Sequence, residues 1–235
     1  MKNNFYSTWH PTVDYDDMSM ILYKILKDKD AHHRWLFTLS YLENCGARKI
    51  KQMESSLFPS LLILKHGAEE ARHAYFFRRQ ILKLGKDPDE IMPFLGGAKG
   101  KNYLNLLDVK ISKNVKRLLK LEASELKLAT YLLTTYCVEV RAEWLFSIYQ
   151  NLLNKLDISI NLATILKEEE NHLEEMILEI EKNEKVQKLI PLCLEIEGEL
   201  FFNLFESIRK ELKWKNSVVK LRESHSEMKN QVTLS

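Results

Sequence analysis

The stretch "HGAEEARHAYFF", residues 66–77, places two histidines and two glutamates in a run that otherwise has the apolar spacing of a buried helix face. Burying an unpaired charge is costly in a protein interior. These side chains therefore need either a bound cation or an exposed helix face. Glu70 and His73 lie three residues apart, so both can reach a common point from one helix.

A second Glu-x-x-His pair occurs in "KEEENHLEEM", residues 167–176, where Glu169 and His172 have the same spacing. Solvated charges on amphipathic helices are the alternative interpretation of both pairs, because glutamate is frequent in this chain. The positions of the remaining carboxylates are therefore more informative than the pairs themselves.

Two other glutamates interrupt faces that are otherwise apolar. Glu43 is the single acid between residues 31 and 53, and it shares a helical face with four apolar residues, Leu36, Leu39, Ala47 and Ile50. Glu139 lies in a second inward-facing series, made of Leu128, Leu132, Thr135, Ala142, Phe146 and Tyr149. Each half of the chain thus supplies an inward Glu from one helix and Glu-x-x-His from the next.

Helical periodicity without strand or hairpin signals predicts an all-α fold in one domain, residues 1–235. We expect helices at about 15–28, 30–55, 57–84, 112–156, 159–182 and 187–213, with a polar tail over 216–235. Pro59 is expected in the first turn of its helix and Gly85 at a C-cap. Residues 85–102, which contain Pro88 and Pro93, are expected to form a long crossover between the two helix pairs.

Two helix pairs joined by a long crossover is the connectivity of a ferritin-like bundle, and four carboxylates with two imidazoles are the ligand set of a carboxylate-bridged di-metal centre. Mixed oxygen and nitrogen ligands suit iron or manganese. The stretches "SYLENCG", "AEEARHA", "CVEVRAE" and "EEENHLEEM" accordingly resemble the ferritin-like di-iron carboxylate superfamily over about residues 30–182.

The resemblance implies a four-helix bundle with additional N- and C-terminal helices, in which two irons, or an iron and a manganese, activate dioxygen. It implies six metal ligands with three roles: Glu43 and Glu139 from the single-Glu helices, Glu70 and Glu169 as bridges, and His73 and His172 as terminal ligands.

His66 lies one helical turn before Glu70 and is an additional candidate ligand. A similar third imidazole occurs in the arylamine N-oxygenases, although there it lies on the helix of the other half. The alternative for His66 is a group that supports a ligand or lines the entrance. Glu143 is a further candidate, but surface or supporting roles are expected for Glu143 and Glu69. Four histidines without a matching partner are expected at the surface: His10, His32, His33 and His225.

Composition narrows the function classes. The chain has 35 basic and 33 acidic residues, so its charge gives no indication of nucleic-acid binding. Its three cysteines contain no CxxC pair, which argues against a disulfide framework or a rubredoxin-type site. No signal peptide or membrane-spanning run is evident, so a cytoplasmic protein without a membrane partner is expected.

The expected function is a di-iron oxygenase or oxidase that oxidises a small organic substrate with dioxygen. An electron donor, a ferredoxin or a flavin reductase, would be required, and a homodimer is compatible with this class. Iron storage or peroxide scavenging of the ferritin or rubrerythrin type is one alternative. A metal-free helical interaction protein is another, although four buried carboxylates without a metal would repel one another.

Overall fold

The computed structural model describes residues 9–53 and 60–213, and within these ranges it is helical and contains no strand. Its helices are α1 Tyr15–Lys27, α2 Lys29–Met53, α3 Leu61–Lys83, α4 Gly97–Leu119, α5 Ala123–Lys155, α6 Ala163–Glu181, the single turn α7 Glu184–Gln187, and α8 Ile190–Glu211. The all-α prediction is confirmed for these residues.

Short polar side chains fix where the first helices begin. Asp14 Oδ1 accepts a hydrogen bond from the backbone N–H of Asp17 at 2.7 Å, which caps α1. The Ser60 hydroxyl likewise accepts from the N–H of Ile63 at 3.3 Å and caps α3. Gly85 follows α3 with φ +83°, a left-handed conformation that glycine adopts without strain. The prediction for Pro59 lies outside the described residues.

The single helix predicted for 112–156 is wrong, because the chain breaks between α4 and α5. Lys120 adopts the left-handed conformation with φ 48°, and Glu125 then accepts a hydrogen bond from the N–H of Glu122 at 3.4 Å. No Gly or Pro marks this break in the sequence. Helix α3 ends at Lys83 and helix α4 begins at Gly97, so the crossover predicted for 85–102 is a loop only up to residue 96.

Two antiparallel helix pairs form the centre of the molecule. The Ser40 hydroxyl of α2 donates to the carbonyl oxygen of Ala74 in α3 at 2.8 Å, while Gly67 of α3 lies against Ile50 of α2. The residue numbers rise on one helix as they fall on the other. Helices α5 and α6 are also antiparallel, because Gln150 contacts Leu162 and Glu139 contacts Glu169. Helix α4 contacts both α2 and α5. Helix α4 therefore closes the space between these two helices.

Two apolar layers occupy the interior on either side of a polar layer. The first contains, among others, Trp35, Leu36, Phe77, Ile81, Phe146 and Tyr149. The second contains, among others, Ile50, Leu133, Tyr136, Leu173, Met176 and Ile180. On α2, α3, α5 and α6 the polar layer falls at or near Glu43, Glu70, Glu139 and Glu169, between the two sets.

Leu128, predicted to face inward, is exposed.

His32 and His33, predicted at the surface, are buried. The hydroxyl of Tyr149 lies 2.7 Å from His32 Nε2, and burial, with the neighbouring His33, lowers the pKa of His32 to about 4. His32 is buried where α2 packs against α5, and His33 lies beside Leu84 at the end of α3. Both positions depend on neighbouring helices, which the sequence pattern did not include. His10 is exposed as predicted, and His225 lies outside the described residues.

Cys45, Cys137 and Cys193 are free and buried. Among the helices of the described ranges, none combines the length and the apolar character that crossing a bilayer requires.

The low pKa of His32 predicts acid sensitivity. Since the folded-state pKa lies below the ordinary 6.5, its contribution to stability is complete above pH 6.5 and is lost as the pH falls toward 4. In His32→Gln, which keeps an amide beside Tyr149, the loss of unfolding free energy across this window should be smaller by up to ~3 kcal/mol. Urea denaturation at several pH values measures this, with His10→Gln as the exposed control. Identical pH profiles for both variants would contradict the role of His32.

Candidate metal centre

The structure brings all six predicted ligands and His66 into one cluster, which consists of two overlapping groups. The first group is His66, Glu70, Glu139 and His172, and the second is Glu43, Glu70, His73 and Glu169. Within each group every residue offers a nitrogen or a carboxylate oxygen, and these atoms all lie within 4.8 Å of one another. Glu70 belongs to both groups, so its carboxylate lies at their junction.

Four helices contribute one inward carboxylate each: Glu43 from α2, Glu70 from α3, Glu139 from α5 and Glu169 from α6. Glu139 and Glu169 are each 2% exposed, and Glu70 is 7% exposed. These three glutamates are therefore not charges on a solvent-exposed helix face, which was the alternative interpretation. Gly46 of α2 helps to admit the carboxylate of Glu70, because a Cβ at this position would lie 3.1 Å from Glu70 Oε2.

His73 and His172 each direct one ring nitrogen into the cluster and bind a carboxylate with the other. His73 Nε2 lies 2.7 Å from Glu168 Oε2, and His172 Nε2 lies 2.8 Å from Glu69 Oε2. In the neutral ring, donation of Nε2–H to these carboxylates fixes the tautomer and leaves the Nδ1 lone pair facing inward. Metal-ligating histidines are commonly oriented in this way.

The two outer carboxylates support the histidine of the opposite helix. Glu69 of α3 reaches His172 of α6, and Glu168 of α6 reaches His73 of α3. Both helices thus carry Glu-Glu-x-x-His, in which the first Glu crosses to its neighbour and the second faces the cluster. Sequence reasoning assigned no such role to Glu168, although the repeated Glu-Glu pair was a visible signal. Arg72 forms an ion pair with Glu168 at 2.8 Å and balances part of this charge.

His66 completes the first group. Its Nε2 lies 3.3 Å from Glu139 Oε1 and 3.4 Å from Glu70 Oε1, and its ring centroid lies 4.0 Å from that of His172. Its Nδ1 lies 3.0 Å from the hydroxyl oxygen of Tyr131. Donation of Nδ1–H to this oxygen would leave the Nε2 lone pair directed into the cluster.

Protons compensate the crowded negative charge in the metal-free protein. Burial and the charges of Glu70 and Glu169 raise the pKa of Glu43 well above its ordinary value. Burial and Glu169 raise that of Glu139 in the same way. Burial lowers the pKa of His73, but the close carboxylates of Glu169, Glu70 and Glu168 favour the charged ring more strongly and raise this pKa to about 9. The cluster therefore requires positive charge at its centre.

Unpartnered buried atoms show that the residues fit a metal ion. Glu139 Oε2, His73 Nδ1 and His172 Nδ1 are buried and lack a hydrogen-bond partner of good geometry. Two unit charges 4 Å apart repel by about 4 kcal/mol at an effective dielectric constant of 20. A divalent cation would relieve this repulsion and would coordinate the unpartnered atoms. The buried His and Glu residues can hold a metal ion.

Two cavities reach the cluster beside α2, α4 and α5, and α8 adds Phe201 and Leu204 to the wall of the smaller one. The larger, about 310 Å³, ends at His66, Glu70 and Glu139. The smaller, about 80 Å³, is predominantly apolar and reaches all four inward carboxylates. Helix α4, absent from the prediction as a separate element, supplies Leu104 to both walls.

Glu143 lies outside both groups, and it is partly buried on α5.

The chain matches no family model, no curated protein and no solved structure. Its function is therefore inferred from the geometry of its side chains.

The shared position of Glu70 leads to a test of metal binding. Glu70→Gln keeps the shape of the side chain but removes a charge common to both groups, so metal uptake should weaken by at least ~100-fold. His73→Ala should weaken one metal position and spare the group that contains His66. Metal content after anaerobic dialysis against ferrous iron measures both effects. Glu174→Gln, an exposed residue of α6, is the control, and equal loading of all three variants would contradict the assignment.

Proposed function

We propose that the protein is a di-metal oxidoreductase that uses dioxygen to oxidise a small organic molecule. The observation that carries the proposal is the pair of overlapping ligand groups that share Glu70, with a cavity ending beside one of them. In this proposal α2, α3, α5 and α6 are the four helices of a ferritin-like bundle, and α1, α4, α7 and α8 are additions to it. The antiparallel packing of α2 with α3 and of α5 with α6 supports this arrangement.

The charge of the cluster supports two divalent ions. The four inward carboxylates carry four negative charges, which two divalent cations neutralise. Carboxylate oxygens and imidazole nitrogens together suit iron and manganese. The first group offers two imidazoles and the second offers one, so the two metal positions differ. The position richer in nitrogen favours iron, while the position richer in carboxylate also accepts manganese.

The chain's own residues supply the surroundings that such chemistry needs. Bound reduced metal would provide electrons to dioxygen, and an external donor such as a ferredoxin or flavin reductase would restore them. Glu69 and Glu168 hold the terminal imidazoles in orientation, and Tyr131 holds His66. The smaller cavity is predominantly apolar beside Glu43 and Glu169 and leaves room for a molecule of the size of dioxygen. The three free thiols are compatible with a reducing, cytoplasmic compartment.

His66 should make the two metal positions unequal. If it is a ligand, His66→Ala should retain two metals but bind one of them more weakly, and the absorption of the oxidised centre should change. If it lines the entrance, loading and spectrum should persist while reactivity with dioxygen changes. Stepwise metal titration with absorption spectroscopy distinguishes these results, with His10→Ala as the exposed control. If the variant matches the unaltered protein in loading, spectrum and reactivity with dioxygen, His66 has no role in the site.

Iron uptake should distinguish an oxygenase from a store. Supplied with ferrous iron and dioxygen, the protein should stop near two irons per chain, because the cluster offers two positions, and it should elute as a small oligomer. Elution as a large cage with a mineral core would favour storage. No uptake after anaerobic loading would favour a metal-free interaction protein. Iron analysis combined with size-exclusion chromatography measures both quantities.

A further inference from the structure

The larger cavity is a slot that follows the axis of α5. Its wall on this helix extends from Ala123 to Glu139 and includes Lys127, Thr130 and Thr134. Because an α-helix rises about 1.5 Å per residue, the interval from Lys127 to Glu139 is about 18 Å. Lys127 is exposed and Glu139 is buried, so the slot runs from the surface to the ligand cluster.

Two hydroxyl groups in the slot lack partners. Thr130 and Thr134 are 7% and 6% exposed, and both Oγ1 atoms are buried without a hydrogen bond. A threonine in a helix commonly satisfies its hydroxyl with the carbonyl oxygen one turn earlier, and Thr38 does so with Arg34 at 2.7 Å. Leaving two buried hydroxyls unpaired costs stability. The pair therefore indicates a ligand with hydrogen-bond acceptors at this depth.

The charges at the outer end favour an anion. Lys49 and Asp108 face each other across the slot at 2.6 Å and neutralise one another. Lys127 Nζ donates to the backbone carbonyl oxygen of Gln52 instead of a carboxylate. Since Lys127 lies three residues before Thr130, its amino group and the two hydroxyls share one face of α5. The outer half of the slot thus combines a positive charge with two hydrogen-bond donors.

The dimensions limit the size of the ligand. A volume of about 310 Å³ corresponds to roughly ten water molecules. A group held between Thr130 and Thr134 lies about 10 Å along the helix from Glu139. An extended chain covers about 1.2 Å per bond, so a chain of about eight carbons spans this distance. Ile50 of α2 and Leu104 of α4 add apolar side chains to the lining of the slot.

We infer that the slot binds an elongated organic monocarboxylate of about ten non-hydrogen atoms, with its carboxylate between Thr130 and Thr134 and its apolar end beside Glu139. Lys127 attracts the carboxylate at the entrance. That this molecule is the substrate depends on the proposed function, whereas its binding does not require metal.

Octanoate is the probe, and octanol and octylamine are its neutral and cationic counterparts. Calorimetry on the full-length protein, as purified and after metal loading, should show the tightest binding for octanoate, and dodecanoate should bind more weakly because it exceeds the slot. Thr134→Val and Lys127→Ala should each weaken octanoate binding by about threefold to tenfold. Thr164→Val and Lys155→Ala change exposed residues of α6 and α5 and should have no effect.

The outcomes separate this inference from the proposed function. Equal binding of octanol or octylamine, or unchanged binding in both slot variants, would overturn the carboxylate site, even if the protein holds two metals. Octanoate binding that depends on Thr134 and Lys127 in a protein that takes up no metal would support the site and overturn the proposed function.

Discussion

Mutual repulsion among four inward carboxylates is the constraint on which the rest of the structure depends. Glu43, Glu70, Glu139 and Glu169 come from four different helices, so the two helix pairs can meet only where positive charge separates these groups. In the metal-free protein protons supply that charge, and hydrogen bonding with Glu139, His172 and His73 outweighs the effect of burial and holds the pKa of Glu169 well below its ordinary value. A pair of divalent ions would supply it without protonating the ligands.

The surroundings of the cluster follow from the same constraint. Apolar layers on both sides exclude water and strengthen every charge interaction between them. Outer carboxylates hold the inward imidazoles, and they lie near enough to the surface to pair with cations such as Arg72. Helix α4 covers the gap between α2 and α5, and the cavities that remain beneath it give small molecules a route to the ligands.

The inward carboxylates could be predicted because each interrupts an apolar face, and a helix turns every residue of such a face in the same direction. The role of Glu168 was not predicted, and for Glu69 a surface and a supporting role remained open, because each acts on a histidine of the opposite helix and a pattern within one helix contains no information about its neighbour. The burial of His32 depends in the same way on α5. The break at Lys120 has no Gly or Pro, so neither residue type could reveal it.

The sequence by itself determined that the chain is helical and that the six predicted ligands face inward, because helical spacing depends only on local geometry. The tertiary structure alone decided that these residues form two groups sharing Glu70, that His66 joins one of them, and that a slot along α5 leads to it. These features depend on distances between helices, which are set by side-chain packing across the interior and not by spacing along any single helix.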